Sequence, residues 1–286
     1  MTFEILQSLF LATVRGSLPL ILVAFAGLIS ERSGVIQIAL EGFMLIGALA
    51  AAIVTFQSHS PTLGILSAML ASAAFAGIYA FFVLNLKADQ IVSGTGINIL
   101  SFGMAPFITK LVFDSTGSTP SIDIDFKLHN STYLITLSVA AVLVYFFHFT
   151  RLGLILQFSG EKPEVLKSHG FSILKVRWIS LLICGALAGI GGSFLSTAMA
   201  SNYSPQMTAG RGFIALAALI FGRWKPIPTI LSCLLFSFAD ALQMTLQGNQ
   251  SFIPVAFIQI LPYLITIVAL AGFFGHSRAP KSLGQK

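Results

Sequence analysis

The 286-residue chain is 56% hydrophobic and only 9% charged, and its formal net charge is +6. Soluble domains carry about 25% charged residues, so this composition excludes a soluble domain and predicts a polytopic membrane protein. The positive net charge does not indicate nucleic-acid binding, because in a membrane protein the position of each charge matters more than the total.

The apolar runs predict an all-α transmembrane bundle of about eight or nine spans, some short or broken, in a single domain covering residues 1–286. Residues 3–15 form either an interfacial helix or the beginning of the first span, which contains Ser17–Ser30. Phe213–Gly222 is apolar but too short to cross a bilayer. The other predicted spans are Gly34–Phe56, Pro61–Leu86, Gln90–Phe113, Ser131–Thr150, Trp178–Ala200, Ile227–Gln247 and Pro254–Phe274.

The placement of Lys and Arg predicts the orientation of the bundle. Of the 16 basic residues, twelve fall on one side of the predicted spans and three on the other, and Arg15 stays unassigned. Basic residues accumulate in cytoplasmic loops. The long hydrophilic segment 150–177 and the basic tail 275–286 are therefore predicted to be cytoplasmic, and the C-terminus with them.

The sequence contains no recognisable catalytic constellation. There is no G-x-x-x-x-G-K-[ST] motif for ATP hydrolysis and no H-E-x-x-H motif for zinc. The chain is accordingly predicted not to be an enzyme and to bind no cofactor directly.

Polar and small side chains recur at helical spacing in three predicted spans. Such faces must point away from lipid, either to form interhelical hydrogen bonds or to line a polar path. Glu41 lies ten residues beyond Glu31, about 15 Å by helical rise and near the middle of the bilayer, whereas Glu31 is predicted to be a helix-end residue or an interfacial anchor. The candidates for a translocation path are Gln37, Glu41, Asn98, Ser101, Asp240 and Gln243.

Two short interrupted segments, Ser33–Gly47 and Gly210–Gly222, fall in different halves of the chain. Paired interruptions of this kind are typical of transporters built from structural repeats, where they lie near a midplane pathway. The sequence therefore favours a pathway near these two segments.

The hydrophilic segment between two spans predicts a short surface helix. It begins at Gly160, has Glu161 and Glu164 in its first turn and Lys167 near its end, and stops at Gly170. This charge order suits the helix dipole and the glycine suits the helix end. The helix is either an ordinary solvated loop element or a docking element.

Five ordered stretches resemble the permease subunits of bacterial ABC importers, in the branch that contains branched-chain amino acid, ribose and nucleoside permeases. They are GLISERSGVIQIALEG, ADQIVSGTGINIL, SGEKPEVLKSHGFSILKVRW followed by GALAGIGG, YSPQMTAGRGFIALAALIFGRWKP, and LPYLITIVAL. Among these, the chain looks most like the shorter permease of nucleoside (purine/BMP-type) uptake systems. The resemblance covers about residues 17–275.

This resemblance implies a type II ABC importer-like pore half in the bacterial plasma membrane, working by alternating access on nucleosides or related small polar solutes. It implies a second homologous permease, cytoplasmic P-loop ATPase subunits that bind ATP and Mg²⁺, and an extracytoplasmic substrate-binding lipoprotein. Alternatives are a same-branch importer of ribose, another sugar or amino acids, and an ion-coupled secondary transporter whose intramembrane acids couple protons or sodium.

The resemblance also implies where the ATPase docks. A GENPEAA-like loop forms the coupling helix of the family, and here that loop departs from the pattern at Lys162, Val165 and Leu166; the family also often has Asn at the position of Gln37. The residues implied in ATPase coupling are Gly160, Glu161, Pro163, Glu164, Leu166, Lys167 and Gly170.

Overall fold

A computed structural model describes residues 3–115, 117–123, 131–248 and 279–285, and all regular structure in these ranges is helical. The helices are α1 (Phe3–Arg32), α2 (Leu40–Ser58), α3 (Pro61–Ala80), α4 (Gln90–Phe113), α5 (Ser131–Phe149), α6 (Arg151–Glu161), α7 (Pro163–Ser168), α8 (Ile173–Ser193), α9 (Arg211–Phe221) and α10 (Pro226–Gly248). Single π-helical turns, Phe81–Asn85 and Phe194–Met199, extend α3 and α8.

Seven of the described helices are long and apolar enough to cross a membrane, namely α1 to α5, α8 and α10, with α3 and α8 counted together with their π-helical turns. This confirms the predicted all-α polytopic architecture. Helix α9 has 11 residues and is too short to span, as predicted. The predicted last span, Pro254–Phe274, lies outside the described residues.

Local sequence signals set several helix starts. The side chain of Asp89 caps α4 by accepting hydrogen bonds from the amides of Ile91 and Val92, both at 2.9 Å. Thr150 and Ser172 cap α6 and α8 in the same way. Proline occupies the first position of α3, α7 and α10, where its missing N–H costs no intrahelical hydrogen bond.

The core lies where α1, α2 and α8 pack together. Much of the second half of α1 and most of α2 are buried, and α2 packs against both α3 and α8, which also pack against each other. A side chain on Gly47 of α2 would collide with the backbone of Gly189 of α8, and one on Gly189 would collide with the backbone of Ala68 of α3. Small residues thus allow close helix approach, as they do in other membrane bundles.

The structure decides one predicted boundary near the N-terminus and corrects another. Residues 3–15 are the beginning of the first span, as one of the two alternatives had it, because α1 runs without a break through Pro19 to Arg32. The next helix starts at Leu40 rather than at Gly34, because Gly34 has a left-handed backbone (φ 100°) and the chain is non-helical from there to Ala39. We call residues 31–39 the α1–α2 junction.

Candidate functional site

Glu31 is buried inside the α1–α2 junction. One carboxylate oxygen accepts the amide hydrogen of Gln37 (3.3 Å) and the other accepts the indole N–H of Trp224. With 3% of its surface exposed, Glu31 is a helix-end residue and not an interfacial anchor. A buried charge needs such partners, so this carboxylate fastens the junction to the segment that links α9 and α10.

Glu41 is also fully engaged by protein. Its two carboxylate oxygens accept the backbone amides of Gly210 (2.9 Å) and Gly212 (2.7 Å) at the N-terminus of α9. A side chain on Gly212 would approach the Glu41 backbone nitrogen to 2.5 Å, so only glycine allows this contact. An acid at a helix N-terminus satisfies free N–H groups and complements the helix dipole. Glu41 therefore holds the starts of α2 and α9 together.

Gln37 and Glu41 do not share a helical face, because Gln37 lies outside α2. The helical rise expected between Glu31 and Glu41 is also absent, since residues 33–39 are non-helical and Glu41 lies in the first turn of α2. The two interrupted segments, however, do meet in space, and Glu41 makes the contact. Their relation as structural repeats stays a prediction.

Gln37 and Asn98 link separate segments of the bundle. The side-chain amide nitrogen of Gln37 donates to the thiol sulfur of Cys184 at 3.1 Å. Asn98 on α4 accepts the amide hydrogen of Gly42 (2.8 Å) and donates to the carbonyl of Ile38 (3.0 Å), so it fastens α4 to the start of α2. Ser101 lies on the same buried face, one turn further along α4, and its hydroxyl donates to its own helix at Ile97.

Asp240 lies apart from these contacts and lines a half-open cavity of about 380 Å³ between α1 and α10, which we call the α1–α10 cavity. Gln243 is half-buried one turn further along α10 but does not line this cavity. The residues that line the α1–α10 cavity are Ser8, Leu11, Ala12, Arg15, Gly16, Leu20, Met199, Arg211, Ser237, Asp240, Ala241 and Met244.

The predicted coupling segment consists of two helices rather than one. Helix α6 continues through Glu161, the helical conformation is interrupted at Lys162, and α7 begins at Pro163. Gly170 follows α7 with a left-handed backbone (φ 78°), as predicted for a helix stop. The start predicted at Gly160 is therefore wrong.

The coupling residues divide into two groups. Gly160 and Leu166 are buried and Glu161 is half-buried, so they face the bundle. Glu164 and Lys167 are exposed on α7 and are free to contact another subunit. Helix α7 begins at Pro163 and contributes to both groups, with Leu166 buried and Glu164 and Lys167 exposed.

The buried part of this segment is fixed to the end of α1. Arg32 forms an ion pair with Glu161 at 3.4 Å and donates to Gln157 at 3.2 Å. The Ser159 hydroxyl donates to the carbonyl of Ser33 at 3.0 Å. A side chain on Gly160 would collide with the Arg32 carbonyl oxygen. The end of α6, which adjoins α7, is therefore bonded directly to the α1–α2 junction.

Residues 279–285 of the predicted basic tail are hydrogen-bonded to both α6 and the α1–α2 junction. The Ser282 amide and hydroxyl both donate to the Gly160 carbonyl, at 2.8 and 2.6 Å. The Gly284 amide donates to the Gly34 carbonyl at 3.1 Å. The tail thus joins the coupling segment to the point where the backbone turns after α1.

Sequence reasoning missed several of these residues. The sequence could have singled out Arg15 and Arg211, since both are cations next to apolar runs. It could not show that they share a cavity, because the cavity depends on tertiary packing. Ser159 and Ser282 carried none, because their partners are backbone carbonyls more than 100 residues away along the chain.

Among the described residues, no group of His, Cys, Asp and Glu is arranged to hold a metal ion. The polar side chains at the junction form hydrogen bonds between segments, and charged side chains line the α1–α10 cavity. Spanning helices with short broken segments and a charged cavity are typical of membrane transport subunits.

Comparison with known proteins identifies the family. The chain belongs to the family described as branched-chain amino acid transport system permease component, which matches residues 9–270. It is 34% identical to the guanosine ABC transporter permease protein NupQ of Bacillus subtilis, over 98% of this chain and 96% of that protein. It is 35% identical to the nucleoside ABC transporter permease protein NupC of Lactococcus lactis, over 94% and 92%. No solved structure matches the chain.

The family membership confirms the resemblance seen in the sequence. The chain is a multi-pass permease subunit of an ABC transporter, and it is not itself an enzyme. Permeases of this kind act together with ATPase and substrate-binding partners.

Proposed function

We propose that this chain forms half of the translocation path of a bacterial nucleoside importer driven by ATP. The observation that carries the substrate class is the similarity to a guanosine and a nucleoside permease over nearly the whole chain. A nucleoside transporter needs a path that accepts hydroxyl groups and an aromatic base, and several polar side chains of this bundle, among them Asn98 and Ser237, are buried inside it.

In this proposal a second homologous permease completes the pore in the plasma membrane, and an extracytoplasmic lipoprotein delivers the substrate. Two cytoplasmic P-loop ATPases bind ATP and Mg²⁺, while the permease binds no cofactor. The segment 150–177 and the C-terminus face the cytoplasm, in accord with the accumulation of Lys and Arg on that side.

The exposed face of α7 is the proposed contact with the ATPase. Glu164 and Lys167 are exposed there, next to the exposed apolar side chains of Val165 and Phe171. Closure of the ATPase dimer pushes α7, and the contacts of Gly160 and Glu161 with α1 carry this displacement to the α1–α2 junction. Alternating access then follows from movement of packed helices as rigid bodies.

The substrate class is tested by uptake of labelled guanosine into cells that lack their own nucleoside uptake and express the chain with its partner subunits. We expect uptake that unlabelled nucleosides inhibit and that ribose and branched-chain amino acids do not. Inhibition by ribose alone would identify the sugar importer instead, and uptake that persists without the ATPase subunits would identify an ion-coupled transporter.

The coupling contact is tested by Glu164→Arg, which reverses an exposed charge on α7. We expect lost uptake with normal amounts of the permease in the membrane. Glu4→Arg is the matched control, because Glu4 is exposed at the far end of α1. Unchanged transport by Glu164→Arg would show that this face does not drive the cycle.

A further inference from the structure

The α1–α10 cavity places charged groups at membrane depth. Arg211 is the first residue of α9, whose 11 residues rise about 16 Å from the end near Trp224. Asp240 lies 14 residues beyond the start of α10, about 21 Å along that helix. The hydrocarbon core is about 30 Å thick, so both groups lie well inside it.

Ionisable side chains at such depth are costly, and they occur where they line a polar path or pair with one another. Arg211 interacts electrostatically with both Asp240 and Glu41. The two oxygens of Glu41 already accept the amides of Gly210 and Gly212, however, so the nearby carboxylate with free capacity is that of Asp240. The cavity therefore holds a guanidinium and a carboxylate that can each bind a solute.

The remaining walls suit an aromatic base. Met199, Met244 and Leu11 supply apolar surface, and the flexible thioether of methionine adapts to different ring shapes. Arg15 stands at the rim, where its Nε donates to the hydroxyl of Tyr133 at 3.0 Å. A volume of about 380 Å³ falls within the ~300–1,000 Å³ range of small-molecule pockets.

We propose that the α1–α10 cavity is a binding station for the transported nucleoside, where Asp240 accepts hydrogen bonds from the sugar hydroxyls and Arg211 donates to the base. This proposal rests on the proposed function and adds the place and the chemistry of contact. A carboxylate accepts hydroxyl hydrogens and a guanidinium donates to carbonyl and ring-nitrogen acceptors. Binding here is weak, because a path must also release its solute.

The first test uses the complete transporter reconstituted in proteoliposomes, with Asp240→Asn, which keeps side-chain size, and Arg211→Gln, which is shorter but still polar; both substitutions remove a charge. We expect guanosine uptake to fall about tenfold or more in each variant, as loss of a charge-assisted hydrogen bond predicts, with normal assembly and ATP hydrolysis. Thr245→Val is the matched control, since its hydroxyl bonds to Ala241 within α10 and it lies outside the cavity.

The second test does not depend on those variants. Met199→Cys introduces a thiol into the cavity wall, while both native cysteines are fully buried. We expect a membrane-impermeant thiol reagent to label Met199→Cys and block uptake, and guanosine-loaded binding protein to slow the labelling. Leu231→Cys, on the outward face of α10, should stay unlabelled.

The two proposals fail in different ways. A wild-type transporter that moves no nucleoside overturns the proposed function, and this site with it. A wild-type transporter that moves guanosine, with Asp240→Asn, Arg211→Gln and labelled Met199→Cys all moving it at the same rate, overturns the binding station alone.

Discussion

Two regions of α1 contrast sharply in how their polar groups are used. At the α1–α2 junction, Trp224 donates to Glu31, Arg32 and Ser33 are bonded to α6, and Gly34 is bonded to the C-terminal tail. Around Arg15, about 25 Å away along the helix, polar groups line an open cavity instead. In the proposed mechanism, the first region transmits the displacement of α7, and the second binds and releases the solute.

The largest expected effect on uptake comes from breaking the contact between α6 and the α1–α2 junction. Gly160→Val places a side chain against the Arg32 carbonyl and the Gly34 amide, so α6 must separate from α1. Overpacking of this kind costs about 1–3 kcal/mol or more. We expect loss of guanosine uptake and a lower unfolding temperature, measured on the purified complex.

Gly77→Ala is the matched control for that experiment. A side chain at Gly77 meets only Leu182, at an ordinary contact distance of 3.6 Å. Uptake should stay at the wild-type rate. Normal uptake by Gly160→Val would show that contact between α6 and α1 is dispensable.

The next effect comes from the link between the two broken segments. Glu41→Leu leaves the amides of Gly210 and Gly212 without their acceptor, at about 1–3 kcal/mol for each unsatisfied group. We expect a lower unfolding temperature in detergent, and a smaller decrease for Glu41→Gln, which keeps one acceptor oxygen. Equal stability of wild type and Glu41→Leu would show that Glu41 is not a structural link.

A smaller effect is expected at the C-terminal tail. Ser282→Ala removes one hydroxyl donor to the Gly160 carbonyl and keeps the backbone contact, a loss of about 1 kcal/mol. We expect fewer guanosine molecules transported per ATP hydrolysed, because the coupling segment is held less firmly. Lys281→Ala, an exposed neighbour, is the control and should leave that ratio unchanged. An unaltered ratio in Ser282→Ala would remove the tail from the coupling route.

The smallest effect is expected from Glu161→Gln, which breaks the ion pair with Arg32. Glu161 is 38% exposed and the pair is 3.4 Å long, so solvent screens most of its energy. Exposed pairs contribute about 1 kcal/mol or less. A double-mutant cycle with Arg32→Gln, followed by thermal unfolding, should give a coupling energy in that range that shrinks at high salt. A coupling of several kcal/mol would contradict this estimate.

The sequence predicted the fold class, most span positions and the short α9, because these depend on local hydropathy and length. It failed at Gly34–Ala39, where apolar residues continue but the backbone turns at Gly34. It also could not show that Glu41 caps α9, since that contact joins residues 169 positions apart.

The same difference between local patterns and long-range contacts separates the candidate residues that were predictable from those that were not. The buried face of Asn98 and Ser101 follows from helical spacing within α4 and was predictable. The common cavity of Arg15, Arg211 and Asp240 requires three helices to meet, and nothing local in the sequence encodes that.

The central claim is that displacement of α7 at one end of the bundle changes the cavity at the other. The most direct test measures the rate of thiol labelling of Met199→Cys in the reconstituted complex, first without nucleotide and then with ATP and vanadate. We expect a several-fold difference in labelling rate between these two states, and we expect Gly160→Val or Glu164→Arg to abolish it. A labelling rate independent of nucleotide in the functioning complex would contradict it.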